Sequence, residues 1–297
     1  VDVHAVLVHH PQQIASRRDD DESRYRNHKE ERDMRRRDFL ATAALGTVGL
    51  KTGALSLPVL EPRSTSQNRN RKILIAGGGF GTTFIKYMAE LTGKERPRLC
   101  YLPTASADRE SGQLRWYQNC ATLNVEPHVQ ASFIASYRME QSWEEVLLSM
   151  DGIVVSGGNT LNQQAIWRAQ GIDEALRKAW DQGVVLGGAS AGSLCWFEEG
   201  TTDSRPKELT KVECLGFLKG SHSPHYDAEE QRRPTYQRMI LAGEMKPGYA
   251  CDNNAGIYFV DNEVERVVHT REDAKVYYVS IVGGEVVERE LPAEMIE

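Results

Sequence analysis

The stretch VVLGGASAGSLCWFEEG, residues 184–200, decides how the rest of the chain is read. It opens on a short apolar run, Val184-Val185-Leu186, and turns through Gly187-Gly188-Ala189-Ser190-Ala191-Gly192. It then takes helical spacing at Leu194, Cys195 and Phe197. Gly188, Ser190 and Gly192 spell Gly-x-Ser-x-Gly, the pattern of a nucleophile elbow. A serine on so tight a strand-to-helix turn sits in a strained backbone conformation, and its neighbours must be small to avoid clashes. Its hydroxyl then projects above the sheet. The helix N-terminus brings backbone N–H groups and a positive dipole end to any oxyanion formed there. A small-residue turn that only packs closely would show the same pentapeptide, so the flanking chain has to decide.

Upstream, strand and helix alternate. Gly152-Ile153-Val154-Val155 reads as a strand running into Ser156-Gly157-Gly158-Asn159-Thr160, then an amphipathic helix with Leu161, Ile166 and Trp167. Ile172 to Ala179 is a further helix leading into the elbow strand. Trp143 to Leu148 is a short helix, residues 109 to 124 have helical periodicity, and Val125 to Phe133 and Arg98 to Leu102 read as strands. Lys72-Ile73-Leu74-Ile75-Ala76 is a buried strand followed by the turn Gly77-Gly78-Gly79-Phe80-Gly81. A dinucleotide fingerprint counted from Gly77 needs glycine where Thr82 stands, and no acidic residue follows a second strand at the usual distance. No cofactor is expected, and these glycines are read as allowing close approach to neighbours. The alternation predicts an α/β fold: a doubly wound, mostly parallel sheet covered on both faces. Sites in such sheets lie beyond the carboxyl ends of the strands, which is where Ser156–Thr160 and Gly187–Gly192 both fall.

At 297 residues the chain is long enough for one large domain or two small ones, and a net charge of −6 argues against nucleic acid as a partner. Cys100, Cys120, Cys195, Cys214 and Cys251 are odd in number with no Cys-x-x-Cys spacing, so neither zinc nor a disulfide framework is indicated. Residues 1–33 mix Arg, Asp, Glu and His without a period, and read as disordered or as upstream of the true start at Met34. Arg35-Arg36-Arg37-Asp38-Phe39-Leu40 is a twin-arginine pattern leading into a mildly apolar segment. Residues 34–57 are therefore expected to be a Tat-type signal peptide, with the Tat translocase as partner and a periplasmic or extracellular destination. Residues 58–71 read as a linker and 72–297 as the catalytic domain.

Nucleophilic serine chemistry needs a base, an acid to orient it, and donors for the oxyanion. In the loop-like run Gly220-Ser221-His222-Ser223-Pro224-His225-Tyr226-Asp227, His225 is the candidate base and His222 its rival. Asp203, in the loop-like Thr201-Thr202-Asp203-Ser204, is the candidate acid, with Glu198 and Glu199 as alternatives. The N–H of Ala191 and one from Gly157-Gly158 are the candidate oxyanion donors. Beyond these, Glu229 to Tyr236 begins another helix, and the tail from Ala255 alternates like antiparallel strands with a hairpin turn at Gly283-Gly284.

Taken together, Gly-Gly-Asn-Thr at 157–160, Ser-Ala-Gly at 190–192, Cys-Trp-Phe-Glu at 195–198, Asp-Ser at 203–204 and Pro-His-Tyr-Asp at 224–227 resemble the peptidase E family. Its members are serine dipeptidases related to cyanophycinase, and the similarity covers about residues 72 to 290. The resemblance implies a class I glutamine-amidotransferase-like fold and hydrolysis of the bond after an aspartyl residue. It puts the nucleophile on Ser190, the base on His225, the oxyanion glycine on Gly158 and the acid on Asp203. It also implies substrate binding by Asn159 and Thr160 and an arginine for the aspartyl carboxylate, with Arg232 first and Arg233 second. The implied partner is a small acidic peptide, and a second copy of the chain is a candidate partner. Export departs from the family's usual cytoplasmic habit.

Other readings compete. An α/β-hydrolase esterase shares the elbow but places acid and histidine further along the chain. A cyanophycinase-type β-aspartyl peptidase and a non-catalytic binder of acidic peptides would use the same pocket.

Overall fold

The computed structural model describes residues 70–133 and 139–297. The signal-peptide reading of 34–57, the reading of 1–33 and all but the last two residues of the linker lie outside the described residues. Alternation along β1 (Lys72–Ala76) sets the frame: Ile73 and Ile75 belong to one core, Leu74 and Ala76 to another on the opposite face. A strand buried on both faces has no reason to alternate polar with apolar, hence the unbroken Ile-Leu-Ile run.

Around it lies an eight-stranded mixed sheet. β5 (Val185–Ala189), β4 (Gly152–Val155), β2 (Arg98–Leu102) and β3 (Glu126–Val129) follow β1 in that order, each parallel to its neighbour. On the other side, β10 (Ala255–Val260) pairs antiparallel with β1. β11 (Glu263–His269) pairs antiparallel with β10, and β14 (Glu294–Met295) extends the edge.

One face is covered by α1 (Thr82–Leu91) and α2 (Glu110–Cys120), through Phe84, Ile85, Met88 and Trp116. The other is covered by α3 (Trp143–Leu148), α4 (Thr160–Gln170) and α5 (Ile172–Asp181), through Leu147, Trp167, Leu176 and Trp180. Ser142 and Glu145 form a capping box at the start of α3, satisfying N–H groups that the first turn leaves free. Gly171, at φ 71°, ends α4 and begins α5.

The expected mostly parallel sheet is joined by a second, mixed one of six strands. It contains β6 (Glu199–Thr202), β7 (Thr210–Glu213), β8 (Ser221–Ser223), β9 (Gly248–Cys251), β12 (Val276–Val282) and β13 (Glu285–Leu291) in the order β13-β12-β9-β8-β6-β7. Thr201 and Thr202, and residues 221–223, read from sequence as loop-like, lie in buried strands. Their polar side chains satisfy one another: Thr201 Oγ1 and Ser223 Oγ lie 2.8 Å apart, and Ser221 Oγ is 2.7 Å from the Tyr236 hydroxyl. Tyr236 is on α7 (Arg232–Leu241), which packs on this sheet. The tail strands and the Gly283-Gly284 turn between β12 and β13 follow the sequence reading.

Candidate active site

Ser190 joins β5 to the single-turn helix α6 (Ala191–Leu194) at φ 58° and ψ −120°. A non-glycine residue holds such a conformation only where the surroundings impose it. Here the Ser190 N–H donates to the Ala76 carbonyl at the end of β1 at 3.3 Å. The chain after it runs so close to β4 that a Cβ on Gly192 would stand 2.1 Å from the Val155 oxygen. Ala191 opens the helix, and its N–H has no acceptor among the described residues.

The loop after β4 closes over the serine. A Cβ on Gly157 would lie 3.2 Å from Ser190 Cβ and 3.6 Å from its Oγ. The N–H groups of Gly157 and Gly158 have no acceptor among the described residues. Gly157 is thus the glycine beside the serine. Gly158 follows at φ 137°, where its Cα is pressed against the Ala105 carbonyl. Asn159 is committed to the loop itself: its side chain accepts from Asn162 N–H at 2.8 Å, capping α4, and donates to the Ser204 carbonyl at 3.2 Å. Thr160 is buried.

His225 follows β8 in the left-handed region, at φ 55°. The next N–H, of Tyr226, donates to the Cys251 carbonyl at 3.1 Å, fastening this loop to the end of β9. Nδ1 of His225 lies 2.7 Å from Oδ1 of Asn253. An amide oxygen only accepts, so Nδ1 carries a proton, and Nε2 is the nitrogen that bears the lone pair in the neutral ring. Gly78 makes room for this pair, since a Cβ there would stand 2.1 Å from Asn253 Oδ1 and 2.9 Å from His225 Cε1. Behind Asn253, its N–H donates to Asp227 Oδ1 at 2.8 Å, and Asp227 Oδ2 is paired with Arg271 at 2.6 Å. Burial pushes the Asp227 carboxyl upward, but the bonds from Arg271 and the Asn253 N–H outweigh it and hold the group below the ordinary range. Its neighbour Asp252 lacks a side-chain cation of that kind, and burial raises it to about 6.

Ser190 and His225 line one cavity of about 360 Å³, with Gly157, Phe80, Tyr101 and Trp116 among its walls. Tyr101 and Trp116 stack at 5.4 Å between ring centroids. A second cavity of about 380 Å³ adjoins it across Ser106, Arg109 and Gly157, and is lined also by Gly158, Asn159 and Phe133.

Several residues expected at the site lie elsewhere. Asp203 is exposed at the end of β6, outside both cavities, and the partner of His225 Nδ1 is Asn253. The alternatives are engaged too: Glu198 accepts from the Gly220 N–H at 2.8 Å and pairs with Lys246 at 3.0 Å, while Glu199 pairs with Lys211 at 3.3 Å. His222 is a buried core residue, between the Tyr249 carbonyl and Ser193 Oγ at 3.0 Å each and stacked on Phe197. Desolvation lowers its pKa to about 3, so the ring is neutral.

Arg232, 2% exposed, pairs with Glu229 and donates to the Thr201 carbonyl at 3.0 Å. It braces α7 against β6 and lines neither cavity. Arg233 pairs with Glu288 and lies over the rings of Tyr226 and Tyr277. Nothing local marks Asn253, since a lone amide in Asp252-Asn253-Asn254 carries no charge pattern. Asp227 was inside the quoted Pro-His-Tyr-Asp run, yet nothing local distinguished it from a solvated loop acid. Among the described residues, no group of three or more His, Cys, Asp and Glu could hold a metal ion.

Residues 73–267 match the profile of Peptidase family S51. The chain is 39% identical over 230 residues to the protein of Bacillus subtilis (strain 168) described as uncharacterized peptidase YgaJ, covering 75% of this chain and 98% of that one. Its fold is similar to the crystal structure of a peptidase from an acI-B1 Actinobacterium, with a TM-score of 0.61 at 16% identity, covering 77% of this chain and 97% of the other. The family match spans both Ser190 and His225, and the chain accordingly belongs to Peptidase family S51, as a serine-type peptidase.

Proposed function

We propose that the protein hydrolyses the peptide bond after an N-terminal aspartyl residue, through an acyl-enzyme on Ser190 set on a nucleophile elbow. The observation that carries this reading is the cavity shared by Ser190 and His225, bordered by Gly157. Nε2 of His225 takes the hydroxyl proton as Oγ attacks the scissile carbonyl, and the tetrahedral oxyanion is held by N–H groups of Ala191 and Gly157 or Gly158. The ring then gives the proton to the departing amine as the C–N bond breaks. Water, deprotonated by the same nitrogen, attacks the ester and frees Ser190.

Asn253 takes the orienting role that the sequence assigned to Asp203: its oxygen fixes the tautomer in which Nε2 is basic. It does so without a full negative charge, as the Asn of Cys-His-Asn proteases does. The test is hydrolysis of Asp-X, β-Asp-X and neutral dipeptides by wild type and Ser190→Ala. Cleavage confined to Asp-X and lost in the variant supports the reading. Cleavage of neutral dipeptides alone, or turnover that survives the substitution, contradicts it.

The motif around Arg36-Arg37 supports a second proposal, Tat-dependent export. Changing both arginines to lysine should retain the precursor inside the cell, because the signal is read as a guanidinium pair. Normal processing of that variant contradicts the proposal.

A further inference from the structure

With Arg232 and Arg233 engaged elsewhere, the cavity beside Ser190 contains two other arginines. Arg109 immediately precedes α2, and Arg115 lies on it next to Trp116. Both line the cavity that Ser190 and His225 share, and Arg109 lines the adjoining one as well. Neither guanidinium is ion-paired or hydrogen-bonded to any described residue. The contrast within the molecule is sharp, since Arg71, Arg98, Arg232, Arg233, Arg238 and Arg271 are all paired with carboxylates.

No aspartate or glutamate lines either cavity among the described residues, although the chain as a whole carries a net charge of −6. Beside His225, the walls are aromatic at Phe80, Tyr101 and Trp116, with glycine and serine around Ser190. Two guanidiniums with no counter-charge at the edge of a low-dielectric cleft attract anions and repel cations. A planar guanidinium also matches a carboxylate in two parallel hydrogen bonds.

We infer that Arg109 and Arg115 are the specificity residues of this site, binding the substrate carboxylate while Ser190 addresses the adjacent carbonyl. This deepens the hydrolase reading and rests on it for the identity of the substrate, but it is a statement about binding and can be tested without turnover.

The experiment measures binding of Asp-Leu and Asn-Leu by calorimetry to the full chain in two forms. One is Ser190→Ala, and the other is the same variant with Arg109→Gln and Arg115→Gln added. Both arginines are exposed at the mouth, so the fold should tolerate the change, and thermal melting checks that it does. A charge-assisted pair is expected to give Asp-Leu an advantage of about 10- to 100-fold over Asn-Leu, and the triple variant should lose it. An advantage that persists in the triple variant, or no advantage in Ser190→Ala, overturns the inference. Wild type that cleaves no aspartyl dipeptide while this binding difference holds would sink the hydrolase reading and leave the inference standing.

Discussion

The imidazole Nδ1 of His225 is held 2.7 Å from the side-chain oxygen of Asn253, in the turn between β9 and β10. The proposed base is therefore oriented by a neutral amide, itself fastened through its N–H to Asp227. Two consequences follow, one for geometry and one for charge.

Asn253→Ala removes the acceptor, frees the ring to rotate and allows the wrong tautomer. Since a positioned general base contributes about 10²- to 10⁴-fold, a loss of about 10- to 100-fold in kcat is expected. Asn253→Asp keeps an acceptor in place and adds a charge that stabilises the imidazolium. Activity should survive in it, with the acid limb of the kcat/KM profile moved to higher pH. The check is the pH–rate profile of all three proteins. Full activity in Asn253→Ala would mean that another group orients His225.

Arg232 separates a brace from a substrate ligand. Its side chain is buried between Glu229 and the Thr201 carbonyl. Arg232→Met leaves both acceptors without it and should destabilise the fold by about 2 kcal/mol, below the usual cost of breaking a buried pair because Glu229 is partly exposed. The preference for Asp-Leu over Asn-Leu should be unchanged. Urea denaturation with the two kcat/KM values decides, and a lost preference at normal stability would return Arg232 to the substrate.

His222 predicts a pH dependence of stability. Its folded pKa of about 3 lies below the ordinary 6.5, because burial disfavours the charged ring. Between these values the unfolded state binds more protons, so stability is present above pH 6.5 and lost as pH falls toward 3. Asp252, raised to about 6, acts in the opposite direction over part of that window, losing stability as pH rises. Comparing wild type with His222→Asn at pH 7 and about pH 4.5 isolates the histidine. The wild type should lose more stability than the variant on acidification, and equal losses would show that the ring is not buried neutral.

The parallel core was legible because its strands are buried on both faces and read as unbroken apolar runs: Ile73-Leu74-Ile75, Ile153-Val154-Val155. The turn at Ser190 was legible because a tight passage from strand to helix demands small neighbours on both sides. β6 and β8 were not, since Thr201, Ser221 and Ser223 answer their buried hydroxyls through contacts with each other and with Tyr236, which no local period reveals. That hidden sheet also bears on the acid: Asp203, read from a loop, directly follows β6, which runs parallel to β8, yet it stands exposed and lines neither cavity. The arginines failed for a related reason. Charge and spacing cannot distinguish Arg232, buried between the start of α7 and β6, from Arg115, exposed at the cavity mouth.

An activated nucleophile at Ser190 should be open to covalent labelling. The full chain is treated with a fluorophosphonate, and the adduct is mapped by peptide mass spectrometry in wild type, Ser190→Ala and His225→Ala. One adduct is expected, on Ser190, formed with loss of dipeptide hydrolysis. Ser190→Ala should give no adduct, and His225→Ala should label at least about 100-fold more slowly, given the share a general base contributes. An unlabelled wild type, an adduct on another residue, or unchanged labelling in His225→Ala would contradict it.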